Sequence, residues 1–417
     1  MNSALGATIG LAVAIILIIR RLSPVYSLLL GAVVGGLLSG MGLETTVANM
    51  ISGVKDITPA IIRIIAAGVL SGVLIKTGSA TTISHAIINR LGERHIFLAL
   101  ALSTMLLTAV GVFIDVAVIT VAPVAIAIAE RTGTSRMKML LAMVGGGKCG
   151  NILSPNPNTI IAAENFDAPL SSVMLAGVVP AIIGLIVVVY LIVPMLSSKS
   201  NSMIARPATE SEDKEHPSLL AALVAPLTVV VLLMLRPIVG ISIDPLLALP
   251  AGGIAGLIAT RQWSNAKVSM AYGLEKMSVI AVLLVSTGAI AGIIKASALT
   301  DVLISLLGTG EASRLLLAPL SGALMSAATA STTAGATIAS ASFGPTILAS
   351  GISAVWGAAF VNVGSTVLDH LPHGSFFHAT TGSMETTMKE GLRLIPYMTL
   401  IGLTLSLLMV VEYMIIG

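Results

Sequence analysis

The sequence predicts an all-α polytopic membrane protein made of two inverted repeats, each with about five transmembrane helices, a re-entrant hairpin and an interrupted helix. Three observations support this fold class. The 417 residues are 56% hydrophobic and 10% charged, with a mean hydropathy of +1.01, whereas soluble domains carry about 25% charged residues. Apolar runs of about 17–25 residues, long enough to cross a bilayer, recur along the chain. The same order of unusual segments also occurs twice.

The apolar runs give the predicted spans. We expect them at 5–19, 24–41, 57–75, 95–129, 138–163, 169–195, 217–235, 244–260, 277–294, 312–350, 352–378 and 394–416. The first run lacks a basic flank and a small-residue cleavage site, so it predicts a retained membrane helix rather than a signal peptide. The hydrophilic stretch 197–216 predicts a cytoplasmic linker between a first repeat, 1–196, and a second repeat, 217–417.

Two pairs of segments align when the first half is shifted by 219 positions. LIKTGSATTISHAII at 74–88 aligns with IIKASALTDVLISLL at 293–307, and GGGKCGNILSPNPNT at 145–159 aligns with GSTVLDHLPHGSFFH at 364–378. The double-length apolar regions 95–129 and 312–350 are short for two spans plus a turn, which favours re-entrant hairpins. Two interrupted helices in matching positions are typical of a binding site in a secondary transporter.

The distribution of lysine and arginine predicts the orientation. With the N-terminus outside and both hairpins returning to their own side, sixteen of these residues fall in cytoplasmic segments and four fall outside. This asymmetry follows the positive-inside rule. Because the first half then holds five spans, the two halves are inverted relative to each other. We expect a multi-pass protein of the cell inner membrane, surrounded by the lipid bilayer.

The composition also excludes several classes of function. A single cysteine, Cys149, excludes an intrachain disulfide and a multi-cysteine metal site. No GxxxxGK[ST] motif is present, so nothing indicates direct use of ATP or another cofactor. No basic stripe with interleaved aromatic residues is present, so nucleic acid is not an expected partner. Transport by this chain would therefore draw on an ion gradient.

The first predicted break contains small polar side chains in an otherwise apolar chain. Proline and glycine free backbone groups that are costly in lipid unless they face protein or a water-filled cavity. A kink stabilised by neighbouring helices is the alternative, but the density of polar groups favours a binding site. The predicted substrate-binding residues of this break are Asn151, Ser154, Asn156, Asn158 and Thr159.

The second predicted break carries titratable side chains. Asp369, His370 and His373 predict a proton relay that couples transport to an ion gradient. A zinc site is the alternative for the His-x-x-His spacing, but no HExxH motif is present. Ser375 adds a hydroxyl for the substrate, whereas we expect His378 at the membrane interface.

The middle of each hairpin region supplies further candidates. Asp115 lies in the centre of an apolar stretch, where a carboxylate predicts a proton carrier or a cation ligand. A salt bridge of Asp115 with Lys148 or Arg63 is the alternative. Lys148 is expected to neutralise a carboxylate substrate or to pair with Asp115. The second hairpin offers hydroxyls for substrate binding or for close helix packing, at Ser331, Thr332 and Thr333.

Three segments carry a resemblance to a known family. GVFIDVAVITVAPVAIAIA, the SPNPNT break and the late run VGSTVLDHLPHGSFFHATTGSMETTMKEGLRLIPYMTLIG resemble the gluconate–proton symporter family, as does SATTISHAIINRLGERHIFLALAL. The resemblance covers most of the chain and is firmest over 60–180 and 310–410. It implies two inverted repeats, a homodimer, an elevator mechanism and substrates that are small hydroxy- or amino-acid anions.

The chain departs from that family at several positions. Asp115 stands where the family has a glutamate, Asn156 stands where it has a histidine, and 372–375 replace an asparagine–aspartate–proline–glycine run, whereas His370 matches a family histidine. A small carboxylate substrate is compatible with these changes, but gluconate itself does not follow.

The sequence therefore predicts a secondary carrier that imports a small organic acid with protons. A sodium-coupled carrier or a cation–proton antiporter is the alternative within transport. An intramembrane metal-dependent enzyme built on Asp369, His370 and His373 is a third hypothesis, of another class.

Overall fold

The computed structural model describes residues 3–197, 216–299, 311–372 and 374–417, with the backbone alone at 311–314. Within these ranges every regular element is a helix, which confirms the all-α fold class. The predicted coupling residue His373 and nearly all of the predicted linker 197–216 lie outside the described residues.

The described residues form nine helices in the first half of the chain and eight in the second. The first half contains α1 (Ser3–Ile19), α2 (Pro24–Leu38), α3 (Leu43–Lys76), α4 (Ser79–Leu91), α5 (Ile96–Ala109), α6 (Ile114–Thr132), α7 (Arg136–Asn151), α8 (Pro157–Asn165) and α9 (Leu170–Met195). The second half contains α10 (Leu219–Val239), α11 (Pro245–Ala259), α12 (Ala266–Lys295), α13 (Glu311–Thr329), α14 (Thr332–Ala349), α15 (Ala354–Gly364), α16 (Ser375–Ser383) and α17 (Met388–Ile416). Short 3₁₀ turns, Glu93–His95 and Trp263–Asn265, precede α5 and α12.

Five helices are long and apolar enough to cross a bilayer among the residues that the structure describes. They are Leu43–Lys76, Leu170–Met195, Leu219–Val239, Trp263–Lys295 and Met388–Ile416. A sixth is possible if the bent pair Ser79–Leu91 and Glu93–Ala109 counts as one span. Shorter apolar helices, among them α1, α2 and α11, lie beside them. The chain is therefore a multi-pass membrane protein.

Two predicted spans begin too late in the sequence. The span expected at 57–75 is part of α3, a helix of 34 residues, and the one expected at 277–294 is part of α12, a helix of 30 residues. A helix of about 20 residues already crosses the hydrocarbon core. Hydropathy detects the apolar part alone, so it misses the amphipathic first turns that contain Glu44 or Lys267.

All the helices but α4, which packs on both α5 and α10, form two groups by their packing. α1, α2, α3, α10, α11 and α12 pack mainly on one another, and we call this set the outer group. The hairpins, the interrupted helices and the final helix of each half, that is α5–α9 and α13–α17, form the inner group. The most extensive contact is between α3 and α12.

Glycine allows α3 and α12 to approach closely. A Cβ added at Gly273 would lie 2.0 Å from the carbonyl oxygen of Gly68, and one at Gly68 would lie 2.8 Å from that of Gly273. Small residues at helix contacts replace the hydrophobic driving force that helices lack in lipid. These glycines fix the centre of the outer group.

The recurrence of elements follows the shift of 219 positions. Lys76 ends α3 and Lys295 ends α12, and an interrupted helix follows a helical hairpin in each half. α5 and α6 are joined by residues 110–113, and α13 and α14 by residues 330–331. The inverted orientation of the halves and the re-entrant path of the hairpins stay predictions.

Candidate functional site

The first break is shorter than the sequence predicts. α7 continues through GGGKCGN to Asn151, and only residues 152–156 separate it from α8. The glycines do not unwind the helix because they serve close packing: a Cβ at Gly146 would lie 1.9 Å from the carbonyl oxygen of Ala101, and one at Gly150 would lie 2.0 Å from that of Met105. α7 therefore lies directly against α5.

Asn156 and Thr159 stabilise this break. Oδ1 of Asn156 accepts a hydrogen bond from the Thr159 amide at 3.1 Å, which caps α8, and its Nδ2 donates to the carbonyl oxygen of Asn151 at 2.9 Å. Asn is among the favoured N-cap residues. Oγ1 of Thr159 accepts from Nδ2 of Asn362 at 3.1 Å. Ser154 is fully buried, and its hydroxyl has no hydrogen-bond partner among the described residues.

A cavity of about 440 Å³ lies between the two hairpin ends, the two breaks and α12. It brings together seven of the residues that the sequence predicts for substrate binding and coupling: Asp115, Asn151, Asn158, Ser331, Thr332, Thr333 and Ser375. Ser154, Asn156, Thr159, Lys148, Asp369 and His370 are not part of its lining. The cavity is the candidate substrate site.

Four helix N-termini border this cavity. They are the first turns of α6, α8, α14 and α16, and each contributes a residue to the lining: Asp115, Asn158, Thr332 and Ser375. The first turn of a helix presents unpaired amide donors and the positive end of the helix dipole. Such ends bind anions. Their convergence makes the cavity favourable for a negatively charged ligand.

Two asparagines of the cavity lining have a side-chain NH2 group without a partner among the described residues. Nδ2 of Asn151 and Nδ2 of Asn158 are buried and make no hydrogen bond among the described residues. Oδ1 of Asn158, by contrast, accepts from the Thr333 hydroxyl at 2.8 Å. A buried donor without an acceptor costs about 1–3 kcal/mol. A ligand that supplies acceptor oxygens would remove this cost.

Asp115 has neither of the salt bridges considered from the sequence. Its Oδ1 accepts from the backbone amide of Val116 at 2.9 Å. Among the described residues no lysine, arginine or histidine nitrogen lies within 4 Å of its carboxylate, because Lys148 and Arg63 both pair elsewhere. The carboxylate lies in the cavity lining with only a local partner.

Lys148 pairs with Asp369 rather than with Asp115. Its Nζ lies 2.7 Å from Oδ1 of Asp369 and 3.1 Å from Nδ1 of His370, and it also donates to the carbonyl oxygen of Thr366. All three side chains are at most 1% exposed. The other oxygen of Asp369 accepts from Oγ1 of Thr332 at 2.7 Å, which links this cluster to the second hairpin.

Sequence reasoning missed the wall that α12 contributes to the cavity. Glu275, Lys276 and Val279 lie opposite the hairpin ends, and Phe113 and Phe376 complete the lining beside Asp115 and Ser375. In the sequence, Lys276 is one of many basic residues before a span, so no local pattern separates it from an interfacial lysine. Its place in the cavity depends on the packing of the two helix groups.

Arg63 joins the two groups. It bonds Asp244 through Nε–Oδ1 at 3.0 Å and Nη2–Oδ2 at 2.7 Å, and its Nη1 pairs with Glu164. Arg63 and Asp244 belong to the outer group, whereas Glu164 ends α8 in the inner group. The hydrogen bonds from Arg63 lower the pKa of Asp244, so this carboxylate remains charged at neutral pH.

Comparison with known proteins gives a consistent result. A family model described as GntP family permease matches residues 3–251. An uncharacterized transporter of Haemophilus influenzae is 50% identical over 405 residues, which cover 97% of this chain and 96% of that protein. The low-affinity gluconate transporter of Escherichia coli K12 is 26% identical over 169 residues, 40% of this chain and 38% of the relative.

Two solved structures share the fold. The YdaH transporter of Alcanivorax borkumensis matches with a TM-score of 0.67 at 17% identity, over 90% of this chain and 89% of its own. MtrF of Neisseria gonorrhoeae, described as one of a class of antimetabolite efflux pumps, matches with a TM-score of 0.62 at 14% identity. The match covers 90% of this chain and 85% of MtrF. At these identities the likeness concerns the fold alone.

Proposed function

This chain belongs to the GntP family of permeases, and we propose that it imports a small organic acid together with protons. Its family and relatives are permeases and transporters, so it is a transporter and not an enzyme. What we propose beyond this is the substrate class, the coupling ion and the elevator mechanism.

The observation that carries the proposal is the donor-rich cavity. Four helix N-termini and two unpartnered asparagine amides surround one space of about 440 Å³. Carboxylate oxygens accept hydrogen bonds and carry the negative charge that helix N-termini favour. Hydroxyls of Ser331, Thr332, Thr333 and Ser375 can bond hydroxyl groups of a sugar acid or hydroxy acid. Gluconate belongs in any substrate screen because a relative transports it.

Asp115 supplies a physical reason for proton coupling. Its carboxylate lines the same cavity as the proposed anion and has no cationic partner within 4 Å among the described residues. Two negative charges in one poorly solvated space repel each other. Protonation of Asp115 removes this repulsion, so proton binding and anion binding favour each other. We assign the coupling proton to Asp115, together with His370 or Asp369.

The two helix groups suggest how the site changes sides. The inner group carries both hairpins and both breaks, and the outer group contributes α12 to the cavity wall. Movement of the inner group along the outer group would expose the site alternately to each side, as an elevator does. We further propose inverted repeats, a homodimer and the cell inner membrane as the location.

Uptake into proteoliposomes tests the coupling. An imposed pH gradient, inside alkaline, is expected to drive accumulation of the carboxylate that stabilises the purified protein in a thermal-shift screen. Asp115→Asn resembles the protonated state, so it should retain exchange of labelled substrate but lose accumulation driven by the pH gradient.

Asp56→Asn is the matched control, because Asp56 is exposed and pairs with Lys295 outside the cavity. Unchanged pH-driven accumulation by Asp115→Asn would refute the role of Asp115. Accumulation that needs a sodium gradient instead would favour the sodium-coupled alternative.

A further inference from the structure

Lys148 reaches from the first interrupted helix into the second break. It lies in the last turn of α7 and is 0% exposed. Its Nζ is surrounded by the carbonyl oxygen of Thr366, Oδ1 of Asp369 at 2.7 Å, Nδ1 of His370 at 3.1 Å and the carbonyl oxygen of Met398 at 3.5 Å. Lys148 thus places a positive charge outside the substrate cavity.

Assigning the ring proton of His370 to Nε2 makes all of these groups acceptors. Nε2 lies 3.1 Å from the carbonyl oxygen of Ile395, which can only accept, and 3.1 Å from Oγ1 of Thr399, which can accept as well as donate, while Nδ1 faces the Lys148 ammonium, so we place the proton on Nε2. In the neutral ring Nδ1 then has a lone pair, and it lies 3.0 Å from Oδ1 of Asp369, which also accepts. Two lone pairs this close are stable because the ammonium lies against both.

The surroundings of Nζ therefore resemble the site of a bound cation. A carboxylate, the Thr366 carbonyl freed at an interrupted helix and the negative end of the α15 dipole are groups of the kind that coordinate monovalent cations in transporters, and the Met398 carbonyl of α17 adds a longer contact. Without the ammonium, converging acceptors in a buried space would repel one another. The acceptors around Nζ of Lys148 therefore require a positive charge at the position of that atom.

The matching position in the first half has no such requirement. Gly147, inside α7, stands 219 positions before Thr366, and its carbonyl oxygen accepts from the Thr108 hydroxyl at 3.0 Å. A neutral side chain satisfies the carbonyl there, whereas a cation satisfies its counterpart in the second half. The cation at the second break is thus a specific feature of that half.

We propose that the second break forms a monovalent-cation site and that the Lys148 ammonium fills it permanently as a tethered ion. Asp369 joins this site to the second hairpin through Thr332, so the ammonium holds the hairpin end, the break and α7 together. Transport then needs no free sodium ion at this position, and because Asp369 and His370 remain ligands of the ammonium, the coupling proton falls to Asp115 alone. The inference deepens the ion side of the proposed function, but its test measures cation binding, so either can fail without the other.

The test is replacement of the tethered cation by a free one. Unfolding temperatures of the purified protein are measured in choline chloride and, at equal ionic strength, in sodium, potassium or ammonium chloride. The wild type should show no cation-specific shift. Lys148→Ala should unfold at a lower temperature in choline chloride and recover by about 5 °C with at least one of the three ions at saturation.

Two control variants make the result specific. Lys295→Ala removes a lysine that is 70% exposed and pairs with Asp56 at 2.9 Å, so no cation-specific recovery is expected. Lys148→Ala combined with Asp369→Asn removes the charged ligand, so the recovery should disappear.

Three outcomes would overturn the proposal. One is a wild-type protein that sodium stabilises relative to choline at this site, with the effect lost in Asp369→Asn. Another is a Lys148→Ala protein that responds to the ions no more than Lys295→Ala does. The third is a Lys148→Ala protein that cannot be recovered folded even with these ions present, because a free ion then fails to replace the ammonium.

Discussion

The side-chain amide of Asn158 has a hydrogen-bond partner for its oxygen but none for its nitrogen among the described residues. Its Oδ1 accepts from Thr333 of the second hairpin at 2.8 Å, which fixes the orientation of the amide. Its Nδ2 is then directed to a place without an acceptor among the described residues. The hairpin therefore orients the donor, and the proposed anion would be its missing partner.

Asn158→Asp is expected to weaken carboxylate binding at least tenfold. The substitution keeps the size of the side chain but replaces a donor with an acceptor and adds a negative charge beside the anion, and a lost bond to a charged group is worth about 1.5–3 kcal/mol. Binding is measured by titrating the purified protein with the carboxylate found by thermal shift. Asn165→Asp is the control, because Asn165 bonds Ser340 at 2.7 Å outside the cavity lining. Equal affinities of the two variants would contradict the assignment.

The sequence identifies residue types better than it identifies partners. The polar residues predicted at the first break include Asn151 and Asn158, which line the cavity, and their role in substrate binding stays a prediction. Asn156 has the same chemistry but caps α8, and no local pattern distinguishes a capping asparagine from a binding one. The partner of Lys148 lies 221 positions away, so a choice based on neighbourhood in the first half, Asp115, is wrong.

The hairpin ends pack directly on the breaks. Gly111 has φ +97° and lies against Pro155, and Ala330, 219 positions later, has φ +47° and lies against Gly374. A positive φ is costly for alanine and not for glycine. The left-handed residue at Ala330 therefore persists because the turn between α13 and α14 is held by its surroundings.

Gly374→Ala is expected to separate the second hairpin from its break. The added Cβ would lie 2.4 Å from the carbonyl oxygen and 2.5 Å from the Cβ of Ala330, and backbone must move to remove the overlap. Overpacking of this kind costs about 1–3 kcal/mol. We expect a lower unfolding temperature and a loss of substrate exchange in proteoliposomes.

Gly382→Ala is the matched control for this substitution. Gly382 lies in α16, the short helix whose N-cap is Gly374, and nothing stands within 4 Å of a Cβ added there. Alanine is also the better helix former. A Gly374→Ala protein as stable and active as Gly382→Ala would show that the hairpin does not depend on this contact.

Helix order is readable from the sequence, whereas helix ends are not. The hydropathy pattern and the shift of 219 positions give two hairpins and two interrupted helices at the observed places. The same pattern misplaces the start of α3 and the length of the first break. In both cases residues that look like a boundary lie inside a helix: Glu44 is in the exposed first turn of α3, and the glycines 145–147 pack against neighbouring side chains and backbone.

The two helix groups are connected by few polar contacts. Among the described residues, the ion pair that joins them is Arg63 with Glu164, and both side chains are 24% exposed. Asp244 holds the guanidinium of Arg63 from within the outer group, so one arm of Arg63 is fixed while the other reaches the inner group. A proposed elevator must break this pair whenever the groups slide past each other.

Glu164→Gln should shift the protein away from the arrangement seen here. A partly exposed ion pair contributes up to about 1 kcal/mol, which corresponds to about a fivefold change in the ratio of two states. A contact made in only one state stabilises that state alone. Ser375→Cys reports the exposure of the cavity, because Ser375 is exposed in its lining and the native Cys149 is fully buried. With a membrane-impermeant maleimide present only on the side to which the cavity opens here, we expect the rate of labelling at position 375 to fall by up to about fivefold in Glu164→Gln.

The control removes an ion pair that does not join the groups. Arg131 in the last turn of α6 pairs with Glu93 in the turn before α5, so this pair joins the two arms of the first hairpin, and Glu93→Gln should leave the labelling rate unchanged. The comparison separates a change in the position of the groups from a general loosening of the protein, which would alter labelling in both variants. If Glu164→Gln labels at the rate of the parent, the pair does not hold the groups in this arrangement, and the force that opposes sliding lies in the apolar contact between α12 and α14.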